Sequence, residues 1–480
     1  MTSPLAQARA HDKAGRPSEA LEEAWRALDA ANGGAPEKWL VASLLRRHPE
    51  LAAPARRKQL FRLVGDPALE PTYLARAGWS LLMQEGAFPP DEDPVVTAGR
   101  LEADALALRL LEESFVSSLP AELSLTAVRR RLLLSGAWSD HPRLAAALVA
   151  QAAHNGGAWF FDAEERRQLA AAPDSAFAAA YLPPRPISPA PAGFSDPVTD
   201  RVAEQYRVWP YPVWTRITVP EPSTLTEEIR AVDPGGAQVP AAADLLVAGC
   251  GTGLDAAMTA CRFPDARIMA IDVSATSLAY AAGRCAGLGI EFRQLDLHRV
   301  AELGKRFDIV YSSGVLHHLP DPEAGLAALA DALRPGGVMR ILVYSRIARL
   351  RVRAAREEIA DLLDRPVSDD LLREARRRLI ETAPQLVAGT SDFYTLGGVH
   401  DLLLHRHEDP FDVPRIRRAL DRLGLDLLAF LLPTPAHRAR YRQRHPDDPL
   451  FRSFDHWGAL EKEEPFLFSR MYDFWCRKSG

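Results

Sequence analysis

The spacing of apolar residues changes character twice along the chain. From residue 1 to about 180, apolar positions recur at intervals of three and four among Ala, Leu and Arg, which predicts helices. The clearest are Ser18–Leu28, Leu101–Val116, Leu123–Leu134 and Arg143–His154, with Trp159-Phe-Phe161 as a core anchor. Residues 181–199 are too proline-dense for helix and predict a stiff, extended linker. Beyond residue 240, short apolar runs alternate with helical stretches: Asp244–Ala248, Ala266–Asp272, Glu291–Asp296, Phe307–Ser313 and Val338–Tyr344. That alternation predicts a parallel sheet covered by helices, an α/β fold. The pattern turns helical again from about Ile347 to Ala383. Two more strand candidates follow, Val399–Leu404 and Leu425–Leu432, with the helix Val413–Leu423 between them. From Pro446 onward the chain predicts a terminal helix with a core-facing stripe of Phe466, Phe468, Met471, Phe474 and Trp475.

The first strand of the alternating region carries the most specific chemistry. Asp244-Leu-Leu-Val-Ala-Gly-Cys-Gly-Thr-Gly253 reads as a buried strand, a glycine-rich turn and the start of a helix. Glycines at 249, 251 and 253 let backbone approach a ligand closely, and the helix that follows points its first N–H groups toward it. The second strand ends in Asp272, close to the ~20-residue offset at which a carboxylate meets ribose hydroxyls in a βαβ unit. The third ends in Asp296, placed to accept from an adenine amino group. The spacing is GxGxG rather than the dinucleotide GxGxxG, and the turn has no basic residue for a pyrophosphate.

Strand-end acids, the loop Val315-Leu-His-His-Leu-Pro-Asp-Pro322 and the turn Arg334-Pro-Gly-Gly337, in this order, resemble the class I S-adenosylmethionine-dependent methyltransferases over roughly residues 240 to 345. Tyr206-Arg-Val-Trp-Pro-Tyr-Pro-Val-Trp214, Ser391-Asp-Phe-Tyr394, Asp401-Leu-Leu-Leu-His405 and Asp455-His-Trp457 resemble a bacterial group of tetratricopeptide-repeat-associated methyltransferases. Ser18–Leu28 has the form of one helix of such a repeat, yet the pattern does not recur ~34 residues later. The resemblance implies a Rossmann-like seven-stranded methyltransferase domain with an all-helical N-terminal domain. Its parts would be residues 1–180, all-helical and degenerate TPR-like, and a Pro-rich linker over 181–199. The methyltransferase domain would span 200–440 with a helical insertion at 346–390, and a C-terminal helical extension, 441–480, would pack on it.

It also implies S-adenosyl-L-methionine as cofactor. Gly249, Gly251, Gly253, Asp272, Val273, Asp296, Leu297, Ser313, Gly314 and His317 would line the cofactor. His318, Tyr211, Asp392, Tyr394 and His405 are the candidates on the reacting side, with His318 as a possible base and Tyr211 as a lid. Class I enzymes usually carry an acid two residues before the first glycine, where this chain has Val247. The cofactor's ammonium must then meet backbone carbonyls or Asp255. The group commonly reads Asn-Pro-Tyr-Pro-Arg-Trp where this chain has Trp209-Pro-Tyr-Pro-Val-Trp214, so the asparagine and arginine have no counterpart here.

Composition narrows the partners. Lys and Arg number 58 against 63 Asp and Glu, a net charge of −5, which gives no basic field for nucleic acid or anionic lipid. The Arg-rich stretch 346–378 is interleaved with acids and predicts a solvated, salt-bridged helical pair. Four cysteines form no CxxC pair, and no metal is expected, His405-Arg-His407 included. The start of the chain has no basic stretch followed by an apolar run, and the protein is expected to be cytoplasmic. No Asn-Pro-Pro-Tyr or Asp-Pro-Pro-Tyr tetrad follows the fourth strand, which disfavours nucleobase or glutamine amino-methylation. The expected acceptor is a peptide or protein side chain first; a small-molecule acceptor and a cofactor-binding scaffold without turnover are the alternatives. The oligomeric state is not set by the sequence.

Overall fold

A computed structural model describes residues 3–30, 34–89, 92–184, 194, 196–219, 222–236, 239–240, 242–432, 434–468 and 470–479. Most of the predicted linker, 185–193 and 195, lies outside the described residues. The chain divides into two compact units.

The helical unit comprises Met1–Pro186, Val213–Thr218 and Ala354–Leu404. Its core includes Leu28, Leu44, Trp79, Leu110, Leu132, Leu148 and Trp159, all buried. The Arg-rich stretch contributes to this unit in an unexpected way. On the helix Asp369–Thr382, Arg373 and Arg376 are buried rather than solvated. Arg376 donates to both Glu122 oxygens at 2.8 and 2.9 Å and to the carbonyls of Ala158 and Phe393. Pairing this complete offsets the cost of taking a guanidinium out of water. Val399–Leu404, predicted as a strand, is instead the helix Leu396–Leu403 of this unit. Thr395 caps it by accepting from Gly398 N, a local helix-start signal that outweighs the apolar run.

The second unit, Ile187–Pro212, Val219–Arg353 and His405–Gly480, is built on a seven-stranded sheet. The strands are β1 (Asp244–Ala248), β2 (Arg267–Asp272), β3 (Glu291–Gln294), β4 (Phe307–Ser313), β5 (Leu333–Tyr344), β6 (Leu425–Leu431) and β7 (Met471–Lys478). Their order is β3-β2-β1-β4-β5-β7-β6, with β7 antiparallel to both neighbours and the other contacts parallel. Every residue of β1 is buried, as expected for a central parallel strand covered on both faces. The seventh strand is therefore the chain's last segment, predicted above as a helix. It enters between β5 and β6, so Tyr472, Phe474, Trp475 and Cys476 are buried on both of its faces. Burial on two sides erases the alternation by which a strand is told from a helix.

The chain lays β2 and β3 on one side of β1, then returns to place β4 on the other. Ligands of such sheets bind beyond the carboxyl ends of the strands at this reversal, between β1 and β4.

Candidate cofactor site at the glycine turn

The turn after β1 has its predicted conformation: φ is +73° at Gly249, +50° at Gly251 and +82° at Gly253. Side chains are excluded on packing grounds as well. A Cβ on Gly249 would lie 2.3 Å from Val315 Cγ2, and one on Gly253 would lie 2.7 Å from Ala281 Cβ. The amides of Gly249 and Cys250 both donate to the Ile271 carbonyl, which ties the turn to the end of β2. Gly253 provides no side-chain cap for the helix Leu254–Arg262, so its first N–H groups are left for a ligand.

Two carboxylates stand at the next strand ends. Asp272 Oδ2 accepts from Gly251 N and Oδ1 from Ser274 N, each at 2.8 Å. Burial raises its pKa, against the opposing pull of those amides, and each oxygen keeps a lone pair for a hydroxyl donor. Asp296, 2% exposed, accepts from His298 N at 2.9 Å and from His298 Nδ1 at 3.2 Å, both through Oδ1. Burial pushes its pKa up, but the His298 donors outweigh this and hold it below the usual carboxylate range. Its Oδ2 is buried with no hydrogen-bond partner among the described residues. Such an acceptor is costly unless a ligand donor meets it. Val273 and Leu297 follow these acids; Leu297 packs in the core and the Val273 carbonyl accepts from Gln294 Nε2 at 2.9 Å.

On the β4 side, Gly314 N donates to the Leu342 carbonyl at 3.0 Å with φ +74°, and Ser313 lines a cavity of about 200 Å³. Val247, Gly249, Asp255, Tyr311 and Arg340 also line it. Arg340 is held by Asp473 in a two-point ion pair at 3.0 and 2.7 Å. Among the described residues no cation pairs with Asp255, which feels Arg340 only through its field. Solvent reaches it through the cavity, yet the protein around it raises its pKa, against a hydrogen bond from Ser313. This arrangement was only half legible: an arginine inside the apolar run of β5 was the available signal, and its partner lies 133 residues away.

The double histidine forms a ring stack. His317, fully buried, accepts from Tyr344 N at 3.1 Å and stacks on the Tyr344 ring at 3.8 Å. His318 stacks on His405 at 3.5 Å, and its Nδ1 lies 2.9 Å from the His407 carbonyl. That contact assigns the proton to Nδ1. Burial lowers the pKa of His317 far below the ordinary value, and that of His318 to about 3. Tyr206 Oη is 3.3 Å from His405 Nε2.

The aromatic segment borders the turn through backbone. The Pro212 carbonyl accepts from the Thr252 hydroxyl, and the Tyr211 carbonyl lies 3.2 Å from where a Cβ on Gly251 would be. Asp392 and Tyr394 belong instead to the helical unit, in the short turn Ser391–Tyr394; Tyr394 is buried and donates to the Ala388 carbonyl at 2.8 Å.

A family model described as a methyltransferase domain matches residues 245–337, the turn and strands just described. An uncharacterized protein of Synechococcus sp. is 33% identical over 285 residues, covering 55% of this chain and 65% of that protein. A trans-aconitate 2-methyltransferase of Deinococcus radiodurans is 42% identical over 95 residues, 20% of this chain and 35% of that protein. A malonyl-[acyl-carrier protein] O-methyltransferase of Acetivibrio thermocellus is 33% identical over 104 residues, 22% of this chain and 36% of its own length. The chain thus spans under two thirds of each of these relatives. The glycine cradle and the unmatched Asp296 oxygen fit an adenosyl group, and the segment that carries them is a class I methyltransferase domain whose cofactor is S-adenosylmethionine.

Proposed function

We propose that this protein transfers a methyl group from S-adenosylmethionine to an acceptor that arrives as its own nucleophile, a carboxylate foremost, on a small molecule. The observation that carries the reading is the state of the imidazoles beside β4 and β5. His318 has a pKa of about 3, and its Nδ1 is committed to the His407 carbonyl. A base this weak removes little proton from an alcohol or ammonium group near neutrality. The bound cofactor supplies an already activated methyl group, so what remains for the protein is alignment and exclusion of water. Gly249, Gly251 and Gly253 admit the cofactor closely, Asp272 takes its ribose hydroxyls, and Asp296 Oδ2 takes the adenine amino group. His317 and His318 form a neutral wall that orients without titrating, with His405 stacked on His318, and Tyr211 covers the turn. The name of one relative, a trans-aconitate methyltransferase, supports the same acceptor chemistry.

A peptide or protein acceptor is the second reading. The observation in its favour is the exposure of Trp39 and Leu123 on the helical unit, 47% and 41%. Transfer of labelled methyl from S-adenosylmethionine in a cell extract separates the two. The first reading expects label in the small-molecule fraction, released as methanol by alkali. Alkali-stable label on protein would overturn it in favour of the second.

A further inference from the structure

We propose that His445, Asp447 and His456 form a binding site for one late first-row divalent ion, zinc foremost. His445 caps the end of the helix Pro435–Arg444, Asp447 follows in the turn, and His456 sits in the first turn of the helix Phe454–Glu463. One ligand atom from each residue lies within 4.8 Å of the other two. Donors bound at zinc distances of about 2.0–2.2 Å sit roughly 3.4 Å apart in a tetrahedral site, so closure needs side-chain rotation and no movement of the helices.

The donors suit the ion. Two imidazoles and one carboxylate are borderline ligands of the kind that zinc, cobalt and nickel take, whereas calcium and magnesium prefer oxygen alone. His456 Nε2 is 3.7 Å from Asp447 Oδ2, and the two imidazoles stack at 4.1 Å. No lysine or arginine pairs with Asp447 among the described residues, and neighbouring Arg444 is occupied by Glu463 at 2.7 Å. The Asp447 side chain is 70% exposed, so water can complete the coordination.

The frame is rigid where it must be. Asp448, next to Asp447, accepts from the Tyr441 hydroxyl and from the amides of Arg452 and Ser453. Tyr441, one turn before His445, stacks at 4.0 Å on Trp457, the residue after His456. Trp457 is fully buried and its indole donates to the Phe451 carbonyl at 3.0 Å. Each ligand is therefore adjacent to, or one helical turn from, a member of one buried clamp. Those neighbours set the spacing while the ligands themselves remain at the surface. Supporting contacts of this kind are what position metal ligands in general. An ion here would join the end of one helix to the start of the next, on the β6 side of the sheet, where Phe430 N donates to the Phe451 carbonyl.

The experiment uses the full chain without an affinity tag, stripped with chelator and titrated with cobalt(II). The expected result is one equivalent bound, with visible d–d absorption that zinc displaces, and a thermal midpoint that rises with zinc. His456→Asn and the surface variant Asp447→Asn should each weaken cobalt binding at least tenfold while leaving the metal-free melt within a few degrees of wild type. Absence of cobalt absorption in the wild type would overturn the assignment. So would absorption unchanged in Asp447→Asn and in a His445→Gln/His456→Asn double variant.

Discussion

Asp296 is buried and Asp272 half-buried, each carboxylate has capacity left for a ligand, and their substitution tests the cofactor placement most locally. Asp272→Ala removes an acceptor for hydroxyl donors and should weaken S-adenosylmethionine binding by about 1.5–3 kcal/mol, read by calorimetry. Asp255 makes a sharper distinction. Its carboxyl lines the cavity beside Val247, Gly249 and Ser313 with no ion pair among the described residues, which suits the cofactor's ammonium. Asp255→Asn should lower affinity for S-adenosylmethionine about tenfold and leave methylthioadenosine, which lacks the ammonium, unchanged. Equal effects on both ligands would remove the carboxylate from that role. Gly249→Ala places a methyl 2.3 Å from Val315 at a φ of +73°, so loss of thermal stability should accompany loss of binding. These positions were legible in the sequence because strand ends and glycine spacing fix them locally. The pairing of Arg340 with Asp473 was not, since it depends on which strands become neighbours.

The elements are held together by charge networks at particular junctions. At the start of β1, Asp244 receives Arg267, Lys305 and Arg334 at 2.8, 2.9 and 2.8 Å, joining β1 to β2 and to the chain around β4 and β5. The Arg267 hydrogen bond leads, against the opposing effect of burial, and the three cations hold its carboxyl far below the usual range. A depressed folded-state pKa means that this stabilisation is present above the unfolded carboxylate pKa near 3.9 and is lost as pH falls below it. Asp244→Asn should therefore lower the thermal midpoint at pH 7, and the gap to wild type should shrink as pH drops below about 4. A gap independent of pH would contradict the ion-pair account. In the helical unit, Arg376→Ala leaves the buried Glu122 carboxylate alone and should cost about 3–5 kcal/mol in denaturant unfolding. Two elements differ from their predicted form. Val399–Leu404 and Met471–Lys478 are both short segments, mixed in apolar and charged residues, of a length either structure can use. A threonine cap decided the first, and insertion between two strands decided the second.

At the scale of the whole molecule, composition and alternation gave the class of fold, whereas the partition of the chain came from packing. Residues Ala354–Leu404 lie in sequence between strands of the sheet and yet belong to the helical unit. Buried arginines are the reason: Arg373 and Arg376 find their acceptors at Gly157, Ala158 and Glu122, more than 200 residues away. An Arg-rich pattern read along the chain cannot distinguish that fate from a solvated face. No helix among the described residues is long and apolar enough to cross a membrane. Cofactor binding underlies every role assigned to the glycine turn, and calorimetric titration with S-adenosylmethionine and S-adenosylhomocysteine, with NAD as control, tests it most directly. It predicts saturable one-to-one binding of the first two at micromolar concentrations and none of NAD. Binding of NAD, or of neither S-adenosyl ligand, would contradict it.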